Sequence, residues 1–149
     1  MPVPSFTEEG VLPEGVHDCT LDELQQTLGG TNQRRRLVGH LRDYALRLHS
    51  AWGRVRVIVD GSFITSKEAP NDVDIIVLVN ELGLTRAPGP LQSSTIDRKY
   101  VNLWYSEEID LKVAYTDAEA DKWSDFFAQV KAATDKRKGL LRVTTGATP

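Results

Sequence analysis

Two apolar runs rich in β-branched residues constrain this chain more than any other feature. They cover Val55–Val59 and Ile75–Val79. Such composition is typical of strands, and nearly unbroken apolarity is typical of a strand buried on both faces. Between the runs lie Gly61-Ser62 and then Asp72 and Asp74. We therefore expect two strands with polar groups gathered where one ends and the next begins.

The spacing of the two aspartates carries a chemical meaning. Positions i and i+2 of an extended segment place their side chains on one face. Magnesium prefers oxygen ligands and often takes one or two carboxylates together with substrate phosphates. Gly61 permits a positive φ and a close backbone approach, and Ser62 offers a hydroxyl and an N–H to an anion. The pattern predicts a Mg²⁺ (or Mn²⁺) site at Asp72 and Asp74, with a nucleoside triphosphate (NTP) held against Gly61-Ser62.

A third carboxylate on a neighbouring strand would complete a two-metal site. Asp110 is the candidate we favour, because Ile109 and Leu111 flank it in an apolar-acid-apolar pattern. A second alignment puts the third strand at Tyr100–Leu103. In that alignment Asn102 takes the position, and it would be a poorer metal ligand.

Several basic residues are candidates for contact with phosphate or RNA. Lys112 is predicted on the same face as Asp110, where it can neutralise that acid or bind phosphate, and Lys67 follows the Gly-Ser turn. The run Arg34–Arg36 opens an amphipathic helix predicted from Gln33 to Ala51. Such a run is most often a solvated helix face. The functional alternative is an RNA-binding patch, which predicts an affinity that falls steeply with salt.

The whole pattern predicts one α/β (α+β) domain of 149 residues, with a mixed twisted sheet of four or five strands and packed helices. Asn32 is the predicted cap of the arginine-rich helix. The remaining predicted elements are an irregular lead-in over 1–19, a helix from a capping box at Thr20 to Leu28, a strand Arg54–Asp60, a helical turn Thr65–Ala69, a strand Val73–Val79, a loop 80–94, strands Tyr100–Tyr105 and Ile109–Tyr115, a helix Asp117–Val130, a strand Leu140–Val143 and a tail Thr144–Pro149.

Composition excludes several classes of protein. The single cysteine, Cys19, rules out an intrachain disulfide and a cysteine-rich zinc site. A net charge of −3 argues against a general nucleic-acid coat protein. The N-terminus has no basic or apolar signal region, and no apolar run approaches the roughly 20 residues of a membrane helix. We expect a soluble, cytoplasmic protein with no membrane contact.

The central segment resembles the signature of the DNA polymerase β-type nucleotidyltransferase superfamily. That signature is a strand, Gly-Ser, an interval, and Asp-x-Asp leading into an apolar strand; here it is Val57–Ser62 followed by Asp72–Val77. The resemblance implies a nucleotidyltransferase-like core and Mg²⁺-dependent transfer of a nucleoside monophosphate to a hydroxyl. It implies phosphate binding at Gly61-Ser62 and metal binding at Asp72, Asp74 and, by a looser match, Asp110.

A closer resemblance is to a group of small bacterial proteins of this superfamily, and it covers nearly the whole chain. It rests on Leu12–His17, on Asp60–Lys67 with Pro70 before Asp72, and on Trp123–Phe127. It implies kinship with toxin–antitoxin and phage-defence systems. RNA or tRNA, a protein and a small molecule remain open as acceptors, and a second copy or a cognate protein is an expected partner. The alternative is a catalytically inactive nucleotide-sensing or partner-binding module of the same fold.

Overall fold

A computed structural model describes residues 3–8, 10–78, 89–114, 118, 122, 129–130, 133–137 and 139–145. They form a mixed five-stranded sheet with packed helices and a separate two-stranded sheet, which confirms the predicted fold class. None of the helices among these residues is long and apolar enough to span a membrane. The elements are β1 (Val16–Cys19), α1 (Leu21–Leu28), α2 (Asn32–Trp52), β2 (Arg56–Asp60), β3 (Val73–Leu78), α3 (Pro90–Thr95), α4 (Arg98–Tyr105), β4 (Ile109–Ala114), β5 (Gln129–Val130), β6 (Ala133–Arg137) and β7 (Leu140–Thr144).

The five strands of the main sheet have the spatial order β1-β7-β2-β3-β4. β1 is parallel to β7 and β3 is parallel to β4, whereas β2 is antiparallel to both of its neighbours. Every residue of β3 except Asp74 is buried, as the apolar run predicts for a strand covered on both faces. The paired aspartates therefore stand at the entrance of a well-buried strand.

α2 is the long helix that supports the site. Thr31, rather than the predicted Asn32, is its N-cap, and the Thr31 side chain accepts a hydrogen bond from the Arg34 N–H at 3.1 Å. Gly53 ends the helix with a φ of 80°. The predicted capping box of α1, between Thr20 and Glu23, is confirmed. The buried side chains of α2 are Arg34, Leu37, Val38, Leu41, Tyr44, Ala45 and Leu48.

The predicted strand at Tyr100–Tyr105 is wrong, because these residues form most of α4. Asp97 caps the helix through a backbone N–H of its first turn. Val101 and Tyr105, one turn apart, are buried, and the Tyr105 hydroxyl donates to Asp43 on α2 at 2.6 Å. Aromatic and β-branched residues favour strands only weakly, and here the cap and the packing against α2 decide the conformation.

The predicted loop at 80–94 is wrong at its end, since α3 begins at Pro90. The Tyr44 hydroxyl on α2 donates to the Thr95 carbonyl oxygen at 2.6 Å and holds α3 in place. The rest of that prediction, at 80–88, lies outside the described residues. α3 and α4 both lie between β3 and β4 along the chain.

Parts of the predicted lead-in and of the predicted tail form regular structure. The lead-in at 1–19 contains β1, and β7 extends into the predicted tail to Thr144. Thr145 is fully buried, and its Oγ1 accepts from the Val55 N–H at 2.9 Å. β1 and β7 pair with each other across almost the whole chain, a relation with no local sequence signal.

Three smaller predictions have different outcomes. The predicted helix Asp117–Val130 lies mostly outside the described residues, and its last two positions form β5 instead. The predicted helical turn at Thr65–Ala69 is wrong, because the turn is a 3-10 helix at Ser62–Ile64. Val79, the predicted last residue of β3, lies outside the described residues.

Candidate functional site

Aspartates from three adjacent strands lie side by side on one face of the sheet. Asp60 on β2 is the register partner of Asp74 on β3, and Asp74 is the register partner of Asp110 on β4. Register partners project from the same face, and Asp72, two residues before Asp74, joins them. One carboxylate oxygen from each of Asp72, Asp74 and Asp110 lies within 4.8 Å of the others. We refer to Asp72, Asp74 and Asp110 as the carboxylate triad.

The structure distinguishes the two candidates for the third position. Asp110 lies on β4, within the triad. Asn102 lies on α4, so the alternative alignment with a strand at Tyr100–Leu103 is wrong. Asn102 nevertheless lines the same cavity of about 300 Å³ as Asp72 and Asp110. The described residues that line this cavity are Asp72, Arg98, Asn102, Glu107 and Asp110.

Gly61 brings the backbone into contact with the triad. The φ of Gly61 is 85°, a positive value of the kind that glycine permits at this turn. A Cβ at this position would lie 2.1 Å from Asp74 Oδ2 and 2.8 Å from Asp74 Cγ. Ser62 begins the 3-10 helix directly after Gly61 and is half-buried. The close approach that only glycine allows is therefore an approach to Asp74.

The segment 63–70 leads from the Gly-Ser turn to the triad, and the beginning of α2 holds it. Thr31 Oγ1 donates to the Glu68 carbonyl oxygen at 3.3 Å, and Gln33 Nε2 donates to the Pro70 carbonyl oxygen at 3.0 Å. These contacts fix the backbone immediately before the triad.

Arg34 makes the most extensive contacts with this segment, and it is 6% exposed. Its guanidinium donates to the carbonyl oxygens of Phe63 at 2.6 Å, Thr65 at 2.5 Å and Lys67 at 2.5 Å. It also donates to the Leu28 carbonyl oxygen at 3.2 Å, at the end of α1. Five N–H donors in a rigid plane suit such a set of carbonyls. Arg34 is therefore a positioning residue for the segment.

The expectation of a solvated face at Arg34–Arg36 is wrong for Arg34, which is unavailable to an external polyanion. Arg35 is exposed, and Arg36 pairs with Glu108. The spacing from Arg34 to Leu37 and Val38 is three and four residues, which puts Arg34 on the buried stripe of α2. That spacing is the sequence signal that distinguishes Arg34 from its neighbours.

Arg34→Met should lower the free energy of unfolding by about 2–4 kcal/mol, because it leaves buried carbonyls without donors. Arg35→Met is the matched control and should change the free energy by less than about 0.5 kcal/mol, since Arg35 is exposed. Urea unfolding of both variants tests this. Equal losses in the two variants would contradict the positioning role.

Asp74 lies in a crowded acidic setting. Burial, a hydrogen bond with Asp110 and the charges of Asp72, Asp110 and Asp60 raise the pKa of Asp74 to about 7. Asp60 contributes from β2, where it is fully buried. The crowding of carboxyl groups therefore favours the protonated form of Asp74, which shares a hydrogen bond with Asp110.

Two cations face Asp110. Lys112 Nζ lies 2.8 Å from Asp110 Oδ1, which places Lys112 on the predicted face, and Arg98 Nη2 lies 2.8 Å from the same oxygen. Burial opposes ionisation of Asp110, but the hydrogen bonds from Lys112 and Asp74 and the charges of Lys112 and Arg98 outweigh it and lower its pKa. The sequence prediction missed Arg98, because it assigned the residues that follow to a strand.

Asp72 is the third member of the triad. Burial and the charge of Asp110 raise its pKa, while the charges of Lys112 and Lys67 oppose that rise. The side chain of Lys67 itself is exposed. The predicted phosphate-binding lysines therefore both act on the triad electrostatically, Lys112 by direct contact and Lys67 through its charge.

Glu108, also missed by the sequence prediction, fixes the start of β4. Arg36 donates to both of its carboxylate oxygens, at 3.0 and 2.5 Å, and His40 Nε2 lies 2.9 Å from Oε1. The Glu108 carbonyl oxygen accepts from the Val73 N–H at 2.9 Å. α2 thus anchors β4 beside β3, which keeps Asp110 next to Asp74.

The donors of the triad suit a hard divalent cation. All are carboxylate oxygens, and two of the three residues, Asp72 and Asp110, also line the polar cavity. Mg²⁺ and Mn²⁺ take such ligands. Asp72, Asp74 and Asp110 are thus the residues that could hold a metal.

Comparison with known proteins identifies a family whose function is unknown. No curated protein and no solved structure matches the chain. The model of a family of unknown function (DUF6932) matches residues 4–144. Since that match spans nearly the whole chain, the protein belongs to the DUF6932 family.

Proposed function

We propose that this protein is a Mg²⁺- or Mn²⁺-dependent nucleotidyltransferase that moves a nucleoside monophosphate from an NTP to a hydroxyl acceptor. One observation carries the proposal: the oxygens of Asp72, Asp74 and Asp110 converge within 4.8 Å. Gly61, without a side chain, allows the Asp74 carboxylate to lie directly against the backbone of the Gly-Ser turn. The cytoplasm, where NTPs are made and used, is the compartment this activity requires.

The chemistry would proceed by in-line displacement. The acceptor oxygen forms a bond to the α-phosphorus, the bond from that phosphorus to the pyrophosphate oxygen breaks, and the hydroxyl proton passes to a triad carboxylate. A bound divalent cation supplies charge neutralisation at the phosphates and lowers the pKa of the acceptor hydroxyl. Lys112 and Lys67 add positive charge near the triphosphate, and the N–H groups that follow Gly61 can donate to it.

Labelled NTPs test this activity directly. The protein is incubated with each α-³²P-labelled NTP, Mg²⁺ or Mn²⁺, tRNA and a cell extract, and we expect labelled product that is absent without the metal. Sensitivity of the product to nuclease or to protease then separates an RNA acceptor from a protein acceptor, and a label resistant to both points to a small molecule. Asp72→Ala/Asp74→Ala should abolish the label. No labelling, or equal labelling by the double variant, would contradict the proposal.

A second candidate function is a nucleotide-sensing or partner-binding module without catalysis. The observation that favours it is the pairing of Asp110 with both Arg98 and Lys112, which neutralises this acid without any metal. Such a module would bind NTP with an affinity that is indifferent to Mg²⁺ and to Asp72→Ala/Asp74→Ala. Isothermal calorimetry with and without Mg²⁺ therefore separates the two functions.

A partner, either a second copy or a cognate protein of a toxin–antitoxin or phage-defence pair, is part of the proposal. α4 carries Arg98 and Asn102 at the cavity, and it also exposes Tyr100 at 44% and Leu103 at 71%. A chain packed against these apolar side chains would add a wall to the site. Sedimentation of the purified protein, compared with Leu103→Glu, distinguishes a second copy from a different partner.

A further inference from the structure

The Asp110 carboxylate is paired with two cations that differ in their surroundings. Arg98 Nη2 and Lys112 Nζ each lie 2.8 Å from Asp110 Oδ1. The side chain of Lys112 is 17% exposed, whereas that of Arg98 is 57% exposed. Lys112 is held by the sheet, while Arg98 reaches its partner from the rim of the site.

The backbone of Arg98 is fixed although its side chain reaches solvent. Arg98 is the first residue of α4, and the Asp97 side chain caps that helix by accepting from the Lys99 N–H at 3.0 Å. Val101 is buried in the core and secures the same turn. The guanidinium can therefore exchange partners within the cavity without a change in the fold.

A divalent cation and Arg98 compete for the Asp110 carboxylate. Asp110 Oδ1 is the atom that Arg98 contacts, and Asp110 belongs to the carboxylate triad. Two like charges repel strongly when they share a carboxylate in a half-buried site. Of the two protein cations, Arg98 is the one with room to leave.

A nucleotide would offer Arg98 a new partner. Among the described residues that line the cavity, Arg98 is the single cation, and Asp72, Glu107 and Asp110 are acids. A guanidinium binds phosphate oxygens with two parallel hydrogen bonds as well as it binds a carboxylate. The polyphosphate of a metal-bound nucleotide is therefore the group that suits the displaced side chain.

We propose that Arg98 is an exchangeable cation: it pairs with Asp110 while the triad holds no metal, and it binds the phosphates of the nucleotide when a metal–nucleotide complex enters. This inference rests on the proposed function. Arg98 then weakens the binding of metal alone and strengthens the binding of the metal–nucleotide complex. Metal and nucleotide then favour each other's binding, because each relieves a cost that the other would meet alone.

The test measures Mn²⁺ binding to the full chain by electron paramagnetic resonance, with and without each α,β-methylene NTP. Arg98→Gln should bind Mn²⁺ alone roughly fivefold more tightly and the Mn²⁺–nucleotide complex roughly tenfold more weakly than the wild type. Lys99→Gln removes the same charge from the same turn of α4, outside the cavity lining, and should change either affinity less than about twofold. Compared with Arg98→Gln, Arg98→Lys should weaken the binding of Mn²⁺ alone as the wild type does, but it should regain only part of the affinity for the Mn²⁺–nucleotide complex.

The outcomes separate this inference from the proposed function. If the wild type binds no Mn²⁺ either with or without nucleotide, or binds it as well after Asp72→Asn/Asp74→Asn, the proposed function fails and Arg98 has no such role. If the triad binds Mn²⁺ but Arg98→Gln behaves like Lys99→Gln, or weakens both affinities equally, only the exchange by Arg98 is overturned. Opposite shifts of the two affinities in Arg98→Gln alone would support it.

Discussion

Asp74→Asn should reduce nucleotidyl transfer more than about 100-fold and, at the same time, make the metal-free protein more stable. The loss follows because Asp74 is central to the triad, and even residues that only orient metal ligands cost 10–100-fold when replaced. The gain follows because asparagine keeps the shape of the side chain but ends its repulsion with Asp72, Asp110 and Asp60. The crowded carboxyl groups therefore destabilise the folded state when no cation is bound.

The gain in stability from Asp74→Asn should depend on pH. The pKa of Asp74 in the folded protein, about 7, lies above the value of about 3.9 for an unfolded chain. The folded state therefore binds more protons between these values, and this group makes stability fall as pH rises from about 4 to about 7. Since solvent screens part of the repulsion, we expect Asp74→Asn to add about 1–2 kcal/mol at pH 8 and less at pH 5.

Urea unfolding of Asp74→Asn and the wild type in EDTA measures the gain in stability at pH 5 and at pH 8. Asp18→Asn is the control of opposite sign, because its hydrogen bond with Arg142 lowers the pKa of Asp18 against the opposing effect of burial. That variant should be less stable than the wild type by a similar amount at both pH values, because a carboxyl group with a lowered pKa is ionised at pH 5 as well as at pH 8. If Asp74→Asn has the pH dependence of the wild type, the crowding of charge at the triad is refuted.

Gly61→Ala should weaken Mn²⁺ binding by at least about tenfold, which is the second large effect. The new Cβ would lie 2.8 Å from Asp74 Cγ, so the carboxylate must move away from its place in the triad. The φ of 85° adds backbone strain of about 1–3 kcal/mol, because side chains avoid this region. Both a displaced ligand and a less stable turn are expected.

Gly53→Ala separates these two contributions. Gly53 has a φ of 80°, but nothing lies within 4 Å of the position of its Cβ. We expect both variants to lose stability through strain, and only Gly61→Ala to lose affinity for Mn²⁺. If Gly53→Ala lowers metal affinity as much, the effect is general destabilisation rather than contact with Asp74.

The triad was the most predictable part of the molecule. Asp72 and Asp74 follow from the two-residue period of a strand and from the apolar run after them. Asp110 follows from its apolar neighbours, because a strand that places Ile109 and Leu111 in the core must turn Asp110 to the opposite face. Both arguments use residues that are neighbours in the sequence, so they need no knowledge of the tertiary structure.

The groups that position and neutralise the triad were less predictable. Arg34 lies among three consecutive arginines, and only its phase relative to Leu37 and Val38 marks it as buried. Arg98 belongs to a segment whose strand-forming residues conceal the helix cap at Asp97. Glu108 acts through partners on α2 that are far away in sequence, so no local pattern reveals it.

The place of β7 in the sheet has a consequence for how the chain folds. β7 lies between β1 and β2, and the ion pair of Asp18 and Arg142 joins residues 124 positions apart. Contacts over such separations carry a large loop-closure entropy and form slowly. The strands that carry the triad are close in sequence and can assemble first. We therefore expect the acidic site to form early and the native topology to be completed only when β7 inserts between β1 and β2.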